Sequence, residues 1–161
     1  MSNNKKIKVN GKKIKSADLI VGIPSYNESD NIAFVAEQMS KGLRKYFSKY
    51  KSVIINVDNN SPDGTKKAFL DADTKVPKIY ISTPPKTTGK GNNFHNLLNE
   101  VEALDAKAVV VVDADIKSVT PEWIKSFLDP VLNNKKDFIT PMYSRHEYDG
   151  TITNNICYPL V

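Results

Sequence analysis

Short apolar runs alternate with amphipathic stretches along most of the chain. Four runs, at 19–23, 52–57, 78–82 and 108–112, have the length of strands, and the last is rich in β-branched residues, as a central parallel strand requires. Between the first two runs, apolar residues from Ile32 to Phe47 recur at helical spacing. Strands that alternate with helices predict right-handed βαβ units. The expected fold class is therefore α/β, with a mostly parallel sheet flanked by helices.

Residues at the ends of predicted helices indicate the remaining elements. Ser61-Pro62 has the pattern of an N-cap followed by a proline at the first helical position. Thr120-Pro121 repeats this pattern before a helix that Pro130 is expected to interrupt. A fifth strand is predicted over 138–143. A helix that begins near Asn92 is expected to bury four apolar side chains, those of Phe94, Leu97, Leu98 and Val101.

The first 17 residues form a separate, basic segment. They contain six lysines and no acidic residue, whereas the whole chain has a formal net charge of +5, so the positive charge is local. Asn10-Gly11 lies between two short alternating runs, which predicts an N-terminal β-hairpin that pairs Ile7 with Ile14. Because no aromatic residues are interleaved with the lysines to stack on bases, we expect a solvated extension and no nucleic-acid partner. The domain itself is expected over 18–161.

Composition excludes several classes of protein. With 161 residues, of which 40% are hydrophobic and 25% charged, the chain is long enough for one globular core and short for two. No apolar run approaches the roughly 20 residues of a membrane-spanning helix. The first six residues lack the apolar stretch of a secretory signal, and a single cysteine, Cys157, excludes an internal disulfide. We therefore expect a cytoplasmic protein without an integral membrane segment.

Polar residues are concentrated directly after the predicted strands, where open α/β sheets bind their ligands. Asp113 and Asp115 are two residues apart, so in an extended segment their side chains point the same way. A hard divalent cation such as Mg²⁺ would neutralise them and leave positions for phosphate oxygens. A turn with an aspartate N-cap explains the pattern equally well. The four polar segments are 24–28, 58–65, 88–91 and 113–115.

Gly89-Lys90-Gly91 opens a predicted helix. Glycines let the backbone approach a ligand, a helix N-terminus favours anions, and the lysine adds a positive charge. The spacing is not that of a P-loop, and on its own the segment is best explained as a flexible loop. Together with the two aspartates, however, a cationic loop at the same edge of the sheet suggests a diphosphate between them.

These segments together resemble the nucleotide-diphospho-sugar glycosyltransferases that have the GT-A fold, a Rossmann-like α/β fold. Residues 24–28 resemble the P-x-Y-N-E opening of glycosyltransferase family 2, residues 57–65 its V-D-D-G-S-x-D-G-T segment, and residues 113–115 its D-x-D motif. Gly89-Lys90-Gly91 and residues 113–124 are similar to the enzymes that make mannosylglycerate and glucosyl-3-phosphoglycerate. The resemblance covers nearly the whole chain after the basic segment.

The resemblance implies a metal-dependent glycosyltransferase that transfers a sugar from a UDP- or GDP-sugar to a small hydroxy acid such as glycerate or 3-phosphoglycerate. It implies Mg²⁺ or Mn²⁺ as cofactor, ligated by Asp115, with Asp113 near the ribose and the metal. Lys90 would contact the donor diphosphate, so Lys90 and Asp115 are the implied catalytic residues. Arg145 and Thr153 fall where acceptor contacts are expected. The implied donor-binding positions are Pro24, Tyr26, Asn27, Glu28, Asp58, Asn59, Gly89, Lys90, Asp113 and Ala114.

Other functions remain open at this point. Asn59 stands where the family segment has its second aspartate, so the base of the donor is not fixed. A family 2 enzyme with a lipid or polysaccharide acceptor would share every donor motif, and so would a non-catalytic nucleotide-binding module. A sugar-phosphate nucleotidyltransferase is disfavoured, because it should have a glycine-rich basic loop where this chain has residues 25–28.

The sequence also predicts the N-terminal part of a longer protein. In the family, a histidine from a later segment completes the metal site, and a further helix is expected to begin within 154–161. Four apolar residues near this end are expected to form a surface that downstream sequence or a partner subunit, as in a homodimer, would cover. They are Ile152, Ile156, Tyr158 and Leu160.

Overall fold

The structure of the chain is a computed structural model that describes residues 5–9, 14–85, 87 and 89–142, the first of these segments through its backbone. Within these residues, five strands and four helices follow one another along the chain. They are β1 (Lys5–Val9), β2 (Leu19–Ser25), α1 (Ile32–Tyr46), β3 (Ser52–Asp58), α2 (Thr65–Asp71), β4 (Lys78–Ser82), α3 (Lys90–Ala103), β5 (Ala108–Val111) and α4 (Pro121–Asn134).

The strands form one sheet in the order β1-β4-β3-β2-β5. Strands β2 to β5 are parallel to one another, and β1 pairs antiparallel with β4 at one edge. In this register Ser25 is opposite Asp58, and Asp58 is opposite Ser82, so three strands end level with each other. The predicted α/β class and mostly parallel sheet are confirmed, and the level strand ends form the floor of the candidate site.

Helices cover the described sheet on both faces. Leu19, Val21 and Ile23 of β2 pack with α1, α2 and α4 in one apolar cluster, whereas Ile20 packs in a second cluster that includes Leu97 of α3. All seven residues of β2 are buried, because successive side chains point to opposite faces and both faces are covered. This two-sided burial explains why the strands are apolar runs rather than alternating patterns.

Helices α1 and α4 approach each other closely at Gly42. A Cβ atom at this position would overlap the backbone carbonyl oxygen of Pro121 and press on the side chain of Ile124. Glycine therefore lets the start of α4 lie directly against α1. Since α4 follows the segment that contains Asp113 and Asp115, this contact also fixes the end of that segment.

Two predicted helix boundaries are wrong. Helix α2 begins at Thr65 and not at Ser61-Pro62, because the Asp58 carboxylate accepts hydrogen bonds from the backbone N–H and the hydroxyl of Ser61 and holds it in the loop. Helix α4 continues through Pro130 to Asn134. Its buried residues Ile124 and Leu128 pack into the core, and such packing outweighs the lost backbone hydrogen bond of an internal proline.

The predicted buried face of α3 is only partly correct. Leu97 is buried, but 55% of the surface of Leu98 is exposed. The helix instead turns Asn93, Asn96 and Glu100 toward the domain, and all three are buried. One reason is that the Asn93 carboxamide donates a hydrogen bond to the backbone carbonyl of Ser25, 3.3 Å away.

The fifth strand of the sheet is not the one predicted. Residues 138–142 form no strand, and β1 occupies the edge beside β4. Ile7 of β1 pairs with Tyr80 of β4, and Ile14 lies in no strand. Residues 10–13, which contain the predicted turn, lie outside the described residues, as does the predicted apolar surface over 152–160.

Candidate functional site

A cavity of about 220 Å³ opens at the carboxyl ends of the parallel strands. Eight of the predicted site residues line it, and they come from four segments that are far apart in the sequence. Ser25, which belongs to the predicted polar segment 24–28, and Asn93, which sequence reasoning missed, complete the lining. The lining residues are Pro24, Ser25, Tyr26, Glu28, Asn59, Lys90, Asn93, Asp113, Ala114 and Asp115.

Hydrogen bonds connect the loop after β2 to the segment after β3. The backbone N–H of Asn27 donates to the Ser61 hydroxyl at 2.9 Å, and that of Glu28 donates to the Thr65 hydroxyl at 2.8 Å. The Asp63 carboxylate accepts the N–H of Ser29 at 3.1 Å and both the N–H and the hydroxyl of Thr65. These contacts set the position of Glu28 at the cavity.

Asp63 is held in its charged form by this network. Desolvation works in the opposite direction, but the hydrogen bonds from Thr65 and Ser29 outweigh it and lower the pKa of Asp63 to about 2. The carboxylate also takes the place of an N-cap for α2, where Gly64 has a φ of +100° and no side chain to offer.

Asp58 lies beneath the cavity and is fully buried. One carboxylate oxygen accepts the Ser25 hydroxyl at 3.0 Å and the Ser61 hydroxyl at 2.6 Å. The other accepts the Ser61 N–H at 2.9 Å and the Tyr80 hydroxyl at 2.7 Å. Burial, together with this bond to Asp58, raises the pKa of Tyr80 well above its usual value. Four donors therefore compensate the buried carboxylate and tie the ends of three strands together.

Lys90 and Asp113 form an ion pair in the lining of the cavity. The Lys90 ammonium is 2.7 Å from Oδ1 of Asp113, and about half of each side chain is exposed (59% and 48%). Lys90 is the first residue of α3, and Asp113 follows β5 by two residues. An exposed ion pair of this kind contributes little to stability, so a ligand can replace it at low cost.

Asp115 is exposed, and Ala114 between the two aspartates is buried. Among the described residues, no three side chains of His, Cys, Asp or Glu form a cluster that could hold a metal ion by themselves. Two carboxylates nevertheless fit Mg²⁺, which binds through one or two such ligands and takes its other ligands from water and phosphate. The donor set thus suits a cation that arrives with a phosphorylated ligand.

One tyrosine and one asparagine of the lining, Tyr26 and Asn93, can also contact a ligand. Tyr26 is 56% exposed, which leaves its ring available for stacking. Asn93 is buried, and its carboxamide oxygen has no hydrogen-bond partner within the described part of the chain. The four-residue spacing from Asn93 to Leu97 on α3 is the signal that could have identified Asn93, since it places the asparagine on the buried face.

The remaining predicted site residues lie outside this lining. Gly89 has a φ of +107° and precedes α3, and Asn27, with a φ of +59°, forms the turn after β2. Arg145 and Thr153, the predicted acceptor residues, fall outside the described residues. Among the described residues, no helix is both long enough and apolar enough to cross a membrane.

The fold and the polar cavity at its strand ends define an α/β domain of the class in which ligands bind where parallel strands end. The family model "Glycosyl transferase family 2" matches residues 20–156. The chain therefore belongs to glycosyltransferase family 2, which confirms the resemblance noted in the sequence.

Individual relatives are more distant. The Bacillus subtilis (strain 168) protein "Putative glycosyltransferase CsbB" is 26% identical over 117 residues, which are 71% of this chain and 34% of that protein. Glucosyl-3-phosphoglycerate synthase from Mycobacterium tuberculosis, solved with Mn²⁺, UDP-glucose and phosphoglyceric acid, is 20% identical with a TM-score of 0.66, over 89% of this chain and 49% of that chain. S. aureus TarS 1–349 is 20% identical with a TM-score of 0.54, over 68% and 30%. The chain spans half or less of their lengths, and the structural likeness shows the fold.

Proposed function

We propose that this chain is the donor-binding part of a metal-dependent glycosyltransferase. The observation that carries the proposal is the shared cavity of Lys90, Asp113 and Asp115 at the strand ends. One cationic and two anionic side chains there can receive a diphosphate together with a divalent cation. Membership of glycosyltransferase family 2 supports a sugar nucleotide as the ligand.

The proposed roles follow from the position of each side chain. Tyr26, Asn27 and Glu28 would contact the nucleoside from the loop after β2. Asp113 and Asp115 would hold Mg²⁺ or Mn²⁺, and Lys90 would bind the diphosphate from the N-terminus of α3. Because Asp58 is fully buried and accepts four hydrogen bonds, we propose that it acts on the donor through Ser25 and Ser61.

Departure of a nucleoside diphosphate develops negative charge on its phosphate oxygens. The Lys90 ammonium and the N-terminal N–H groups of α3 would stabilise that charge, and a bound divalent cation would add Lewis-acid stabilisation. For Lys90 to do so, its ammonium must exchange the Asp113 carboxylate for a phosphate oxygen. The exposure of this ion pair makes the exchange feasible.

We further propose a small hydroxy acid, such as glycerate or 3-phosphoglycerate, as the acceptor. The likeness to a synthase solved with phosphoglyceric acid supports this choice, and Arg145 and Thr153 would be the acceptor contacts. A lipid or polysaccharide acceptor is the alternative within the same family. Transfer assays with both classes of acceptor would decide between them.

The proposal is tested by calorimetric titration of the chain with UDP and GDP, with and without Mn²⁺. We expect Mn²⁺ to tighten binding of at least one of them, and Asp115→Asn to abolish that effect while the fold stays intact. Asp71→Asn, the same change at an exposed site on α2, should leave it unchanged. Mn²⁺-dependent affinity that survives in Asp115→Asn would contradict the proposed metal ligand.

A further inference from the structure

The side chain of Asn59 forms hydrogen bonds to two residues of the turn that leads into α3, Thr87 and Gly89. In one orientation of the amide, the carboxamide nitrogen faces Thr87 and donates to its carbonyl oxygen at 2.9 Å. In this orientation the carboxamide oxygen accepts the N–H of Gly89 at 3.0 Å. The nitrogen also lies 3.3 Å from the Thr83 hydroxyl. The opposite orientation would set the carboxamide oxygen against the Thr87 carbonyl oxygen, so the hydrogen-bonding pattern selects the first.

Asn59 is itself firmly placed on the sheet. It directly follows β3, and its backbone N–H donates to the Ser25 carbonyl at 3.0 Å. The backbone hydrogen bonds of Thr87 and Gly89 are local: the Thr87 N–H donates to the Pro84 carbonyl, and the Gly89 carbonyl accepts the N–H of Asn92. Asn59 therefore connects this turn to the strand ends that form the floor of the cavity.

Side-chain packing does not hold this turn at Gly89. Gly89 has a left-handed φ of +107°, and a Cβ atom placed there would meet nothing within 4 Å. The next residue is Lys90, whose ammonium faces the cavity. Because packing does not restrain Gly89, the direction in which Lys90 leaves the turn depends on the hydrogen bonds that fix the peptide groups before it.

We propose that Asn59 is a positioning residue that holds the Gly89 turn so that Lys90 meets the donor diphosphate, an inference that rests on the proposed function. The role requires a carboxamide, since it must donate on one side and accept on the other. An aspartate could accept the N–H of Gly89 but would place a carboxylate oxygen against the Thr87 carbonyl. Asn59 thus acts on the phosphate end of the donor rather than on its base.

The first test measures the turn without any ligand. In Asn59→Ala, loss of the accepting oxygen should speed amide hydrogen exchange of Gly89 about tenfold, as expected for one or two lost hydrogen bonds. Asn99→Ala is the matched control, because Asn99 is an exposed asparagine of α3 that contacts His95. Its Gly89 amide should exchange as in the wild type. An unchanged Gly89 rate in Asn59→Ala would overturn the inference.

The second test uses calorimetry with UDP and Mn²⁺ on four proteins: wild type, Asn59→Ala, Lys90→Ala and the double variant. If Asn59 acts through Lys90, Asn59→Ala should weaken binding about tenfold, and the double variant should bind no more weakly than Lys90→Ala alone. Affinity for uridine should not change in Asn59→Ala. Additive losses, or a comparable loss for uridine, would overturn the inference because Asn59 would then contact the donor directly.

The outcomes separate the two proposals. A wild-type chain that binds no nucleoside diphosphate would overturn the proposed function, and with it the role of Asn59 in diphosphate binding. If the wild type binds UDP and Asn59→Ala binds it with the same affinity, only the inference about Asn59 is overturned. Asn59→Asp provides a second variant of nearly the same shape. Its carboxylate can still accept the N–H of Gly89 but lies against the Thr87 carbonyl oxygen, so UDP binding should be weaker than in the wild type.

Discussion

At the scale of single residues, Lys90 serves two partners that compete for it. Its ammonium pairs with the Asp113 carboxylate at 2.7 Å, although both side chains remain about half exposed. The proposed function gives the same ammonium to a phosphate and the same carboxylate to a cation. Removal of Lys90 should therefore have opposite effects on the two ligands.

Lys90→Ala should weaken binding of UDP by about 1.5–3 kcal/mol, the range of a hydrogen bond to a charged group. The same variant should bind Mn²⁺ alone more tightly, because Asp113 loses its competing partner. Calorimetry with UDP, uridine and Mn²⁺ checks both effects, and uridine affinity should barely change. Equal losses for UDP and uridine would indicate that Lys90 acts only through the general structure of the loop.

Asp58 shows how a site residue can act from below the surface. Tyr80→Phe removes one of its four donors and leaves a buried carboxylate oxygen underbonded, so unfolding should become easier by about 1–3 kcal/mol. Urea denaturation measures the change. Tyr50→Phe, at an exposed tyrosine, is the control and should alter stability by much less. Equal stabilities of the two variants would mean that the bond to Asp58 is not important for the fold.

The residues of the cavity were largely predictable because their types are unusual after a buried strand. Two aspartates directly after an apolar strand and a lysine between two glycines form local patterns, which makes Lys90, Asp113 and Asp115 recognisable. The burial of Asp58 was not predictable, since it depends on Tyr80 from a different strand. The spacing of Asn93 from Leu97 places it on the buried face of α3, but its partner, a backbone carbonyl far away in the sequence, was not predictable.

At the scale of elements, the contact between α1 and α4 depends on one missing side chain. Alanine is the better helix former, yet at Gly42 it would collide with the Pro121 carbonyl. Gly42→Ala should therefore destabilise the chain by about 1–3 kcal/mol, the usual cost of overpacking. Gly91→Ala in α3 meets no atom within 4 Å and should be neutral or stabilising in the same urea titration. Stabilisation by both substitutions would show that the helices can move apart freely.

Elements were predictable where local pattern and tertiary environment agree. Strands β2 and β3 are apolar because both faces of the sheet are covered, so their sequence already reports their position. The expectation of a central strand at 108–112 is wrong for the described sheet, because β5 lies at its edge and Val111 is 37% exposed. The pairing of β1 with β4 joins segments about 70 residues apart, and no local pattern reports it. The continuation of α4 through Pro130 likewise depends on packing against the core.

At the scale of the whole molecule, two carboxylates connect parts that are distant in the sequence. Asp63 joins the loops after β2 and β3, and Glu122 joins α4 to α1 through Lys45 and Tyr46. Hydrogen bonds from Lys45, from its own backbone N–H and from Tyr46 lower the pKa of Glu122 to about 2. The pKa of Asp63 is also about 2.

These lowered pKa values make stability depend on pH in a defined direction. Both groups bind protons more weakly in the folded chain, so their contribution is complete above about pH 5 and is lost as the pH falls toward 2. Thermal melts between pH 6 and 2 should show the melting temperature falling with pH. The Asp63→Asn, Glu122→Gln double variant should be less stable at pH 6 and show a shallower fall. If the melting temperature of the double variant falls with pH as steeply as that of the wild type, the pH dependence does not come from these two carboxylates.

The position of β1 gives the basic N-terminus a consequence for association between molecules. Its sequence, Lys5-Lys6-Ile7-Lys8-Val9, forms a margin of the described sheet. Unpaired backbone groups along such a margin invite pairing with a neighbouring chain, and lysines oppose it because two copies repel each other. The opposite margin, Ala108–Val111, contains no charge. The two margins therefore differ in charge. Added salt, which screens the lysines, would weaken the repulsion between two copies at the β1 margin and would leave the uncharged β5 margin unchanged.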